Sequence, residues 1–416
     1  MKYLLIVFFL VIQFDIFGQE FQDGPMVVCE AGENFDGPIS SLASYKNLRT
    51  QAGESSFVVT YSGFPSDAKA AFQAAINVWQ KVMVTRVPIR IKATWESINS
   101  TTLANSGATK VYKNFGGNSI KDVWYPVALA EAIAGKELNG SEADINITVN
   151  QNISWSYFTD GTRQAFKYDL MTVILHEIAH GLGFTTTMKI GDSNTLQGQY
   201  GQSGTPFIYD MFIQNGSEQK MTDAAIFGNP SADLKTNYTS DNLFFNIKDL
   251  SLISEFPKIY APSTFRSGGS ISHLDENKFP KGTPNALMSP QIGAAEINHF
   301  PGPIILAILN EIGWSVNFYD LSVITAIEPV NVSQKLHLYP NPVIGDARVI
   351  VPDEMLNADL AFYLVDARGS LTSISSNATN IGANTFEFEL SNLSVGKYFI
   401  KAISAQKELS VPFIKY

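Results

Sequence analysis

The sequence contains little cysteine, little histidine and no long basic run. Its 416 residues include one cysteine, Cys29, so an intrachain disulfide is excluded. Lys and Arg number 29 against 39 Asp and Glu, which gives a formal net charge of −10. An acidic chain of this kind argues against nucleic acid and anionic membranes as partners. The hydrophobic content of 45% is typical of a globular protein, and the length predicts two or three domains.

Only the N-terminus carries an apolar run with the layout of a targeting segment. A stretch from Tyr3 to Ile12 follows Lys2 and precedes the small residue Gly18. This arrangement is typical of a secretory signal peptide and is too short to span a membrane. We therefore predict a signal peptide at residues 1–18 and no membrane-spanning segment in the rest of the chain. The following residues 19–44 are a leader and a candidate short pro-segment.

Hydrophobic periodicity predicts both helices and strands before Trp314. Period-two alternation predicts strands at residues 55–64, 87–95 and 143–150. Helical spacing predicts helices at residues 66–83, 169–184 and 301–314. Residues 185–270 are rich in Gly, Ser, Asn and Thr without sustained periodicity, which indicates a long, loop-rich insertion.

Residues that favour helix ends support two of these helices. Ser66 or Asp67 is a candidate N-terminal cap for the first helix, and Asp169 is one for the second. Gly181 and Gly183 suit the end of the second helix, because glycine readily adopts the left-handed conformation found there.

The pattern changes after Trp314. Five short alternating runs, separated by turn residues, follow Leu336: ARVIVP, LAFYLVDARG, NTFEFEL, KYFIKAI and ELSVPFIKY. They predict a small all-β, sandwich-like domain at residues 335–416. We place the linker at residues 326–334 and the preceding domain at residues 45–325.

Two of the five histidines, His176 and His180, flank Glu177 in the motif HEIAH on the second predicted helix. Because they are four residues apart, their side chains lie on one face of the helix, where they can bind one metal ion. A catalytic zinc ion normally takes three protein ligands and keeps one position open. The third ligand must therefore come from elsewhere, and the candidates are His273, Glu296, His299 and Glu311.

Four motifs follow one another along the chain: HEIAHGLGF, SHLDE, ALMSP and LAILNEIGW. In this order, residues 56–315 resemble the leishmanolysin-type metzincins, in which a long insertion separates the first motif from a later histidine, a methionine turn and a helix. The resemblance implies that His273 is the third ligand and that Met288 forms a packed floor beneath the imidazoles. Short-spaced metzincins place their third histidine where this chain has Thr186. The chain departs from the family in its insertion length and its scarcity of cysteine.

The resemblance implies the α+β fold class, with a metzincin-type zinc-protease domain built from a mixed sheet and an active-site helix. It also implies one catalytic zinc ion bound by His176, His180 and His273. Zinc makes water more acidic, so Glu177 would take a proton from that water and pass it to the leaving amine. We therefore expect a secreted zinc-dependent endopeptidase that acts on protein or peptide substrates.

Other interpretations stay open from the sequence. The rival is a cell-surface adhesin or binding module with a structural zinc site, which has no use for a general base at Glu177. Another is a zinc hydrolase that acts on bonds other than peptides. Cys29 is a candidate zinc ligand in a latent form, or an unpaired, partly buried thiol. Segments such as FTDGT are candidates for Ca²⁺ binding, although ordinary turns have the same composition.

The β-rich end resembles the C-terminal sorting domain of the type IX secretion system. The markers are Tyr339-Pro340-Asn341-Pro342, the hairpin from Leu393 through Gly396 to Tyr398, and the final Lys-Tyr pair. The resemblance implies the outer-membrane secretion machinery as a partner. It also implies a location outside the cell or on its outer surface, after export by the signal peptide. The alternative is an ordinary carbohydrate-binding or spacer β-sandwich.

Overall fold

The computed structural model divides into two compact units, Met1–Ile324 and Thr325–Tyr416. It describes most of both units, namely residues 20–37, 55–99, 101–191, 196–250, 253, 255–317, 336–339, 343, 345–352, 355–356, 359–366, 370–382, 385–404 and 408–415. The predicted signal peptide, the predicted linker and part of the predicted leader lie outside the described residues. Pro340, Asn341, Pro342 and Tyr416 of the sorting markers also lie outside them.

The described part of the first unit contains five α-helices: α1 Ser66–Val82, α2 Val127–Ala134, α3 Leu170–Gly181, α4 Ala232–Tyr238 and α5 Gly302–Glu311. The three predicted helices correspond to α1, α3 and α5. Pro65 occupies the N-cap position of α1 and no side chain caps this helix, so the prediction of Ser66 or Asp67 is wrong. Asp169 caps α3 as predicted, because its side chain accepts a hydrogen bond from the backbone N–H of Thr172.

The same part of the chain contains 18 mostly short strands: β1 Glu20–Asp23, β2 Val27–Gly32, β3 Phe57–Ser62, β4 Met83–Val84, β5 Ile89–Glu96, β6 Thr102–Ala108, β7 Lys110–Lys113, β8 Tyr125–Pro126, β9 Ile145–Asn150, β10 Trp155–Ser156, β11 Tyr168–Asp169, β12 Lys189–Ile190, β13 Gly198–Gln199, β14 Ile213–Asn215, β15 Leu243–Phe245, β16 Lys258–Ile259, β17 Gln291–Gly293 and β18 Ser315–Val316. The three predicted strands correspond to β3, β5 and β9.

Six of these strands form the main sheet, in the order β17-β2-β6-β9-β5-β3. Strands β3, β5 and β9 run parallel, and α1 supplies the crossover connection that β3 and β5 require. Strand β6 is antiparallel to both β9 and β2, whereas β17 pairs in parallel with β2. Strand β2 comes from the predicted leader, for which the sequence analysis predicts no strand. The N-terminal segment is therefore an inner strand of the sheet.

Helices α1 and α3 pack together, and α3 also contacts β6 and β9. The indole N–H of Trp79 in α1 donates a hydrogen bond to the carbonyl oxygen of Leu175 in α3, at 3.3 Å. All 12 residues of α3 are buried. A helix buried on every side is expected to be apolar throughout, because burying an unpaired polar group is unfavourable. The two histidines and the glutamate of α3 therefore need a specific explanation.

The predicted loop-rich insertion contains more regular structure than its sequence indicates. Strands β14, β15 and β16 form a small antiparallel sheet. Ser231 is the N-cap of helix α4, and its hydroxyl accepts a hydrogen bond from the backbone N–H of Leu234. Strands of two or three residues are too short to give a period-two signal. These strands were therefore not predicted from the sequence, because they are too short.

The second unit contains eight strands among its described residues: β19 His337–Tyr339, β20 Asp346–Ile350, β21 Ala361–Val365, β22 Leu371–Ser373, β23 Ala378–Gly382, β24 Thr385–Glu389, β25 Gly396–Ile403 and β26 Glu408–Lys415. They form two antiparallel sheets, in the orders β19-β20-β24-β23 and β22-β21-β25-β26. The sheets share one core, in which the rings of Phe362 and Phe388 lie 5.0 Å apart. Each of the five predicted runs overlaps one of these strands, namely β20, β21, β24, β25 and β26.

Candidate metal centre

Helix α3 places His176, Glu177 and His180 in the interior of the first unit. The chain turns after this helix at Gly183, whose φ of 113° lies in the left-handed region that favours glycine. Gly181 packs so closely on Ile145 of β9 that a Cβ atom would collide with that side chain. The close approach of α3 to the sheet thus fixes the depth at which its polar side chains lie.

Three histidine side chains converge at one point. The Nε2 atoms of His176 and His180 are 3.0 Å apart, and the Nε2 atom of His273 lies 3.3 Å from that of His176. All three side chains are fully buried. Nitrogens that each lie about 2.0–2.1 Å from a tetrahedral zinc ion are about 3.3 Å apart, so the observed spacing fits such an ion.

The other ring nitrogens of these histidines each contact a backbone carbonyl oxygen. The distances are 2.7 Å from His176 Nδ1 to Leu287, 2.7 Å from His180 Nδ1 to Phe184 and 2.8 Å from His273 Nδ1 to Gly269. A carbonyl oxygen only accepts hydrogen bonds, so each Nδ1 carries the hydrogen and donates it. Each Nε2 atom therefore presents a lone pair to the shared point, which is how a metal-ligating histidine is usually oriented.

Burial lowers the pKa of all three imidazoles. The pKa of His176 falls to about 4 and that of His273 to about 3, where the neighbouring His176 adds to the effect of burial. The pKa of His180 lies well below its ordinary value, mainly because of burial and further because of the other two histidines. At neutral pH the three rings are uncharged and their lone pairs repel one another. A cation relieves this repulsion, and three neutral nitrogen ligands suit zinc.

Glu177 is fully buried beside this centre. A carboxylate oxygen of Glu177 lies within 4.8 Å of a ring nitrogen of His176. Among the described residues, neither of its carboxylate oxygens has a hydrogen-bond partner. Burial raises the pKa of this carboxyl group to about 8. Burying an unpaired carboxyl group lowers the stability of the fold, and such groups are concentrated at functional sites.

Met288 lies in a turn after His273 that contacts both the loop of His273 and His176. Its side chain is fully buried, and its carbonyl oxygen accepts a hydrogen bond from the backbone N–H of Leu274 at 2.8 Å. Leu274 directly follows His273, whereas Leu287, directly before Met288, supplies the carbonyl oxygen that orients His176. This turn therefore fixes the position of His273 relative to α3.

The rival third ligands have other partners. The Nε2 atom of His299 lies 2.7 Å from a carboxylate oxygen of Asp169. Glu296 accepts a hydrogen bond from the backbone N–H of Gly293, and Glu311 accepts one from the backbone N–H of Lys248. Among the described residues, the groups close enough to share a metal ion contain none of the three. The structure brings His273, and not these residues, to His176 and His180.

A buried aspartate fixes the chain after α3, and the sequence analysis did not single it out. Asp210 is fully buried and accepts hydrogen bonds from the hydroxyl groups of Thr186 and Thr187. The backbone N–H of Thr186 donates to the hydroxyl oxygen of Ser272, which precedes His273. Thr186 therefore helps to position the loop of the third histidine. The three consecutive threonines at 185–187 are the only sequence signal of this network.

Cys29 of β2 is the other neighbour of the centre. It is fully buried, and its sulfur lies within 4.8 Å of a nitrogen of His176 and an oxygen of Glu177. Burial, and then the nearby carboxyl group of Glu177, raise the pKa of the thiol well above its ordinary value. Cys29 is not part of the group formed by the three histidines. The structure thus places an uncharged thiol beside Glu177.

Two family models match separate parts of the chain. One, described as SPBPB7E8-like, matches residues 124–252, which include His176, Glu177 and His180 but not His273. The other, described as the secretion system C-terminal sorting domain, matches residues 337–415. No curated protein matches the chain.

The second match confirms the predicted sorting domain. It supports the type IX secretion system as a partner and indicates a protein that is secreted or attached to the cell surface. The described residues contain no helix that is both long enough and apolar enough to cross a membrane. The description of the first family names no activity, so the chemistry of the first unit has to be inferred from its residues.

Proposed function

We propose that the first unit is a zinc-dependent endopeptidase of the metzincin type, with an α+β fold, which cleaves protein or peptide substrates after export. One observation carries the proposal. Three buried Nε2 lone pairs, each oriented by a backbone carbonyl oxygen, converge beside the unpaired carboxyl group of Glu177. The motifs that contain these residues are those that resemble the leishmanolysin-type enzymes.

In this proposal His176, His180 and His273 bind the ion and Glu177 moves the proton. A zinc ion held there supplies Lewis-acid chemistry, which polarises a peptide carbonyl group and makes water more acidic. Glu177 takes a proton from the attacking water at a carboxylate oxygen and gives it to the departing amine. A zinc ion held beside it would favour the carboxylate that accepts the proton, whereas the buried surroundings favour the protonated form that donates to the amine.

A structural zinc site in an adhesin or binding module is the second candidate, and the nearness of Cys29 to His176 is the observation behind it. Structural zinc sites are closed by four protein ligands, and a cysteine with three histidines would make such a set. The sulfur of Cys29 is close to His176 and Glu177 but does not join the group of His176, His180 and His273. The fourth position is therefore left for water and substrate in the proposed enzyme.

The substitution Glu177→Gln tests the peptidase proposal. It removes the proton carrier and leaves all three proposed ligands in place. We expect one zinc ion per chain by elemental analysis and at least about a 10²-fold loss in the rate of peptide hydrolysis. Glu33→Gln, at an exposed position, is the matched control and should change neither measurement. Unchanged hydrolysis by Glu177→Gln would contradict the proposal.

A further inference from the structure

A buried amide holds the turn that orients His176. Asn298 is 2% exposed and lies between β17 and α5. Its side chain faces two backbone groups: the N–H of Leu287, which can only donate, and the carbonyl oxygen of Phe300, which can only accept. The amide oxygen of Asn298 therefore accepts from Leu287 at 2.9 Å, and its nitrogen donates to Phe300 at 2.8 Å. Both polar atoms of this side chain thus bind the backbone.

Leu287 is held at both of its backbone polar groups. Its N–H donates to Asn298, and its carbonyl oxygen accepts from Nδ1 of His176 at 2.7 Å. The backbone of a residue rotates only about φ and ψ, so an N–H that is held in one direction restricts the directions open to the carbonyl group. The amide of Asn298 therefore restrains the carbonyl group to which the imidazole of His176 is bonded.

A second hydrogen bond returns from Asn298 to α3. Its backbone N–H donates to the hydroxyl oxygen of Thr172 at 2.9 Å. The hydrogen of that hydroxyl is directed to Asp169, at 2.7 Å, which leaves the oxygen free to accept. Thr172 lies four residues before His176, so both side chains project from the same face of α3. The hydrogen bonds thus leave the helix at His176 and return to it at Thr172 through Asn298.

The result is a closed ring that consists of Thr172, Asn298, Leu287, His176 and one turn of α3. All four residues are buried. Removing one partner of such a bond leaves a buried polar group unpaired, which is unfavourable. Groups that hold a metal-ligating histidine from behind fix the orientation of its ring, and their loss typically weakens metal binding by about 10–100-fold.

We propose that Asn298 is a positioning residue of the metal centre. Through Leu287 it keeps the Nε2 lone pair of His176 directed at the point where the three histidines converge. In this role Asn298 contacts neither the ion nor a substrate. The inference rests on the zinc centre of the proposed function. It applies equally to a structural ion, because it concerns the orientation of a ligand and not the chemistry of Glu177.

Asn298→Leu tests the proposal in the full chain, because leucine has a similar size but cannot accept a hydrogen bond from Leu287. We expect zinc affinity, measured by competition with an indicator, to fall at least about tenfold. Asn150→Leu is the matched control. Asn150 is also buried, and its amide nitrogen donates to the carbonyl oxygens of Asn99 and Thr102. This substitution should lower stability but leave zinc affinity unchanged.

Two further measurements distinguish a misdirected ligand from a less stable fold. With Co²⁺ in place of zinc, the visible absorption bands report the geometry of the ligands. Asn298→Leu should shift these bands, and Asn150→Leu should not. In the metal-free chain, hydrogen exchange followed by mass spectrometry reports the segment that contains Leu287. This segment should exchange faster in Asn298→Leu than in Asn150→Leu, because the acceptor of its N–H is missing.

A second substitution opens the ring on the helix and also applies if Asn298→Leu does not fold. Thr172→Val removes the hydroxyl oxygen that accepts from Asn298. It should weaken zinc binding, whereas Thr172→Ser, which keeps a hydroxyl group, should retain the parental affinity. Because either change opens the same ring, the double variant should bind zinc about as weakly as the weaker of the two single variants. Independent effects would multiply instead.

The outcomes separate this proposal from the peptidase proposal. Unchanged zinc affinity in Asn298→Leu, equal weakening by Asn150→Leu, an unchanged Co²⁺ spectrum or multiplied effects in the double variant overturns the role of Asn298. Where Asn298→Leu does not fold, unchanged affinity in Thr172→Val overturns it. Weaker zinc binding with a shifted spectrum supports that role even if the parent chain cleaves no peptide, a result that contradicts only the peptidase function. Cleavage by the parent together with unchanged affinity in Asn298→Leu has the opposite meaning.

Discussion

His273 is the residue on which the proposed ligand set depends, because it comes from a loop far along the chain from α3. We predict that His273→Ala lowers the zinc content well below one ion per chain. The reason is that two histidines make a weak zinc site. His299→Ala is the control, since His299 contacts Asp169 and not the centre. Zinc content is measured by elemental analysis after gel filtration, and retention by His273→Ala with loss by His299→Ala would overturn the assignment.

Glu296 gives a pH-dependent prediction. Burial raises the pKa of its carboxyl group from 4.5 to about 7. Between these values the folded chain binds more protons than the unfolded chain, so this group's contribution to stability falls as pH rises from about 5 to about 7. Glu296→Gln should remove the dependence, so its stability relative to the parent should rise over that range by an amount of order 1–3 kcal/mol.

Urea unfolding at pH 5 and pH 7 with saturating zinc measures this difference. The exposed Glu33 supplies the control, because Glu33→Gln should differ from the parent by the same amount at both pH values. A difference between Glu296→Gln and the parent that stays constant with pH would show that Glu296 is not the titrating group.

At the residue scale, the sequence indicated side chains better than it indicated the backbone around them. His176 and His180 follow from helical spacing alone, and His273 followed from the order of four motifs. The carbonyl oxygens of Phe184, Gly269 and Leu287 left no signal, because every residue has a carbonyl group. Cys29 was noted for being alone, but only the pairing of β2 with β6 shows that it lies beside Glu177.

At the scale of the element, helix α3 depends on its N-cap residue, Asp169. One oxygen of Asp169 accepts hydrogen bonds from the backbone N–H and the hydroxyl of Thr172 and lies 2.7 Å from His299. We predict that Asp169→Ala lowers the free energy of unfolding by about 1–3 kcal/mol and weakens zinc binding, because the ligands lie on this helix. Chemical unfolding and competition with a zinc indicator measure the two effects.

Ser231 at the start of α4 provides the matched control for this prediction. It caps its helix through one hydrogen bond to the backbone N–H of Leu234, but α4 carries none of the proposed ligands. Ser231→Ala should cost about 1 kcal/mol and leave zinc affinity unchanged. If both substitutions weakened zinc binding equally, the effect of Asp169→Ala would reflect general stability and not the orientation of α3.

At the element scale, long periodic segments were predictable and pairing was not. Helices α1, α3 and α5 and strands β3, β5 and β9 each carry enough residues for a clear period. Strands β2 and β17 pair across more than half the chain, and no local pattern records a partner so distant. Tertiary packing, and not local sequence, therefore determines which strands lie beside the metal centre.

For the molecule as a whole, the division into two units predicts that each unit has its own function. All four residues of the proposed site lie in the first unit. We predict that a chain ending near Ile327 folds and binds one zinc ion. It should also cleave peptides as the full chain does, because boundaries between domains cross few contacts. A folded but inactive truncated chain would place part of the substrate site in the second unit.

The same truncation has an opposite consequence in the native cell. The sorting domain at residues 337–415 is removed, so the protein should be retained in the periplasm and be missing from the medium and the cell surface. Cell fractionation followed by immunoblotting locates it, with the full chain as control. Appearance of the truncated chain in the medium would show that export does not need this domain.

The orientation of the three imidazoles by backbone carbonyl oxygens has a genetic consequence. A point mutation replaces a side chain but cannot delete a carbonyl group, so the hydrogen bond to Gly269 should survive substitution at that position. A Cβ atom there would meet its nearest neighbour, in Arg266, at 3.4 Å, an ordinary contact. In a saturation mutagenesis screen, Gly269 should therefore tolerate alanine, while every allele of His273 loses function. Inactivating substitutions at the centre should thus concentrate on the histidines and Glu177, and the carbonyl groups that orient the histidines should give no mutants of their own.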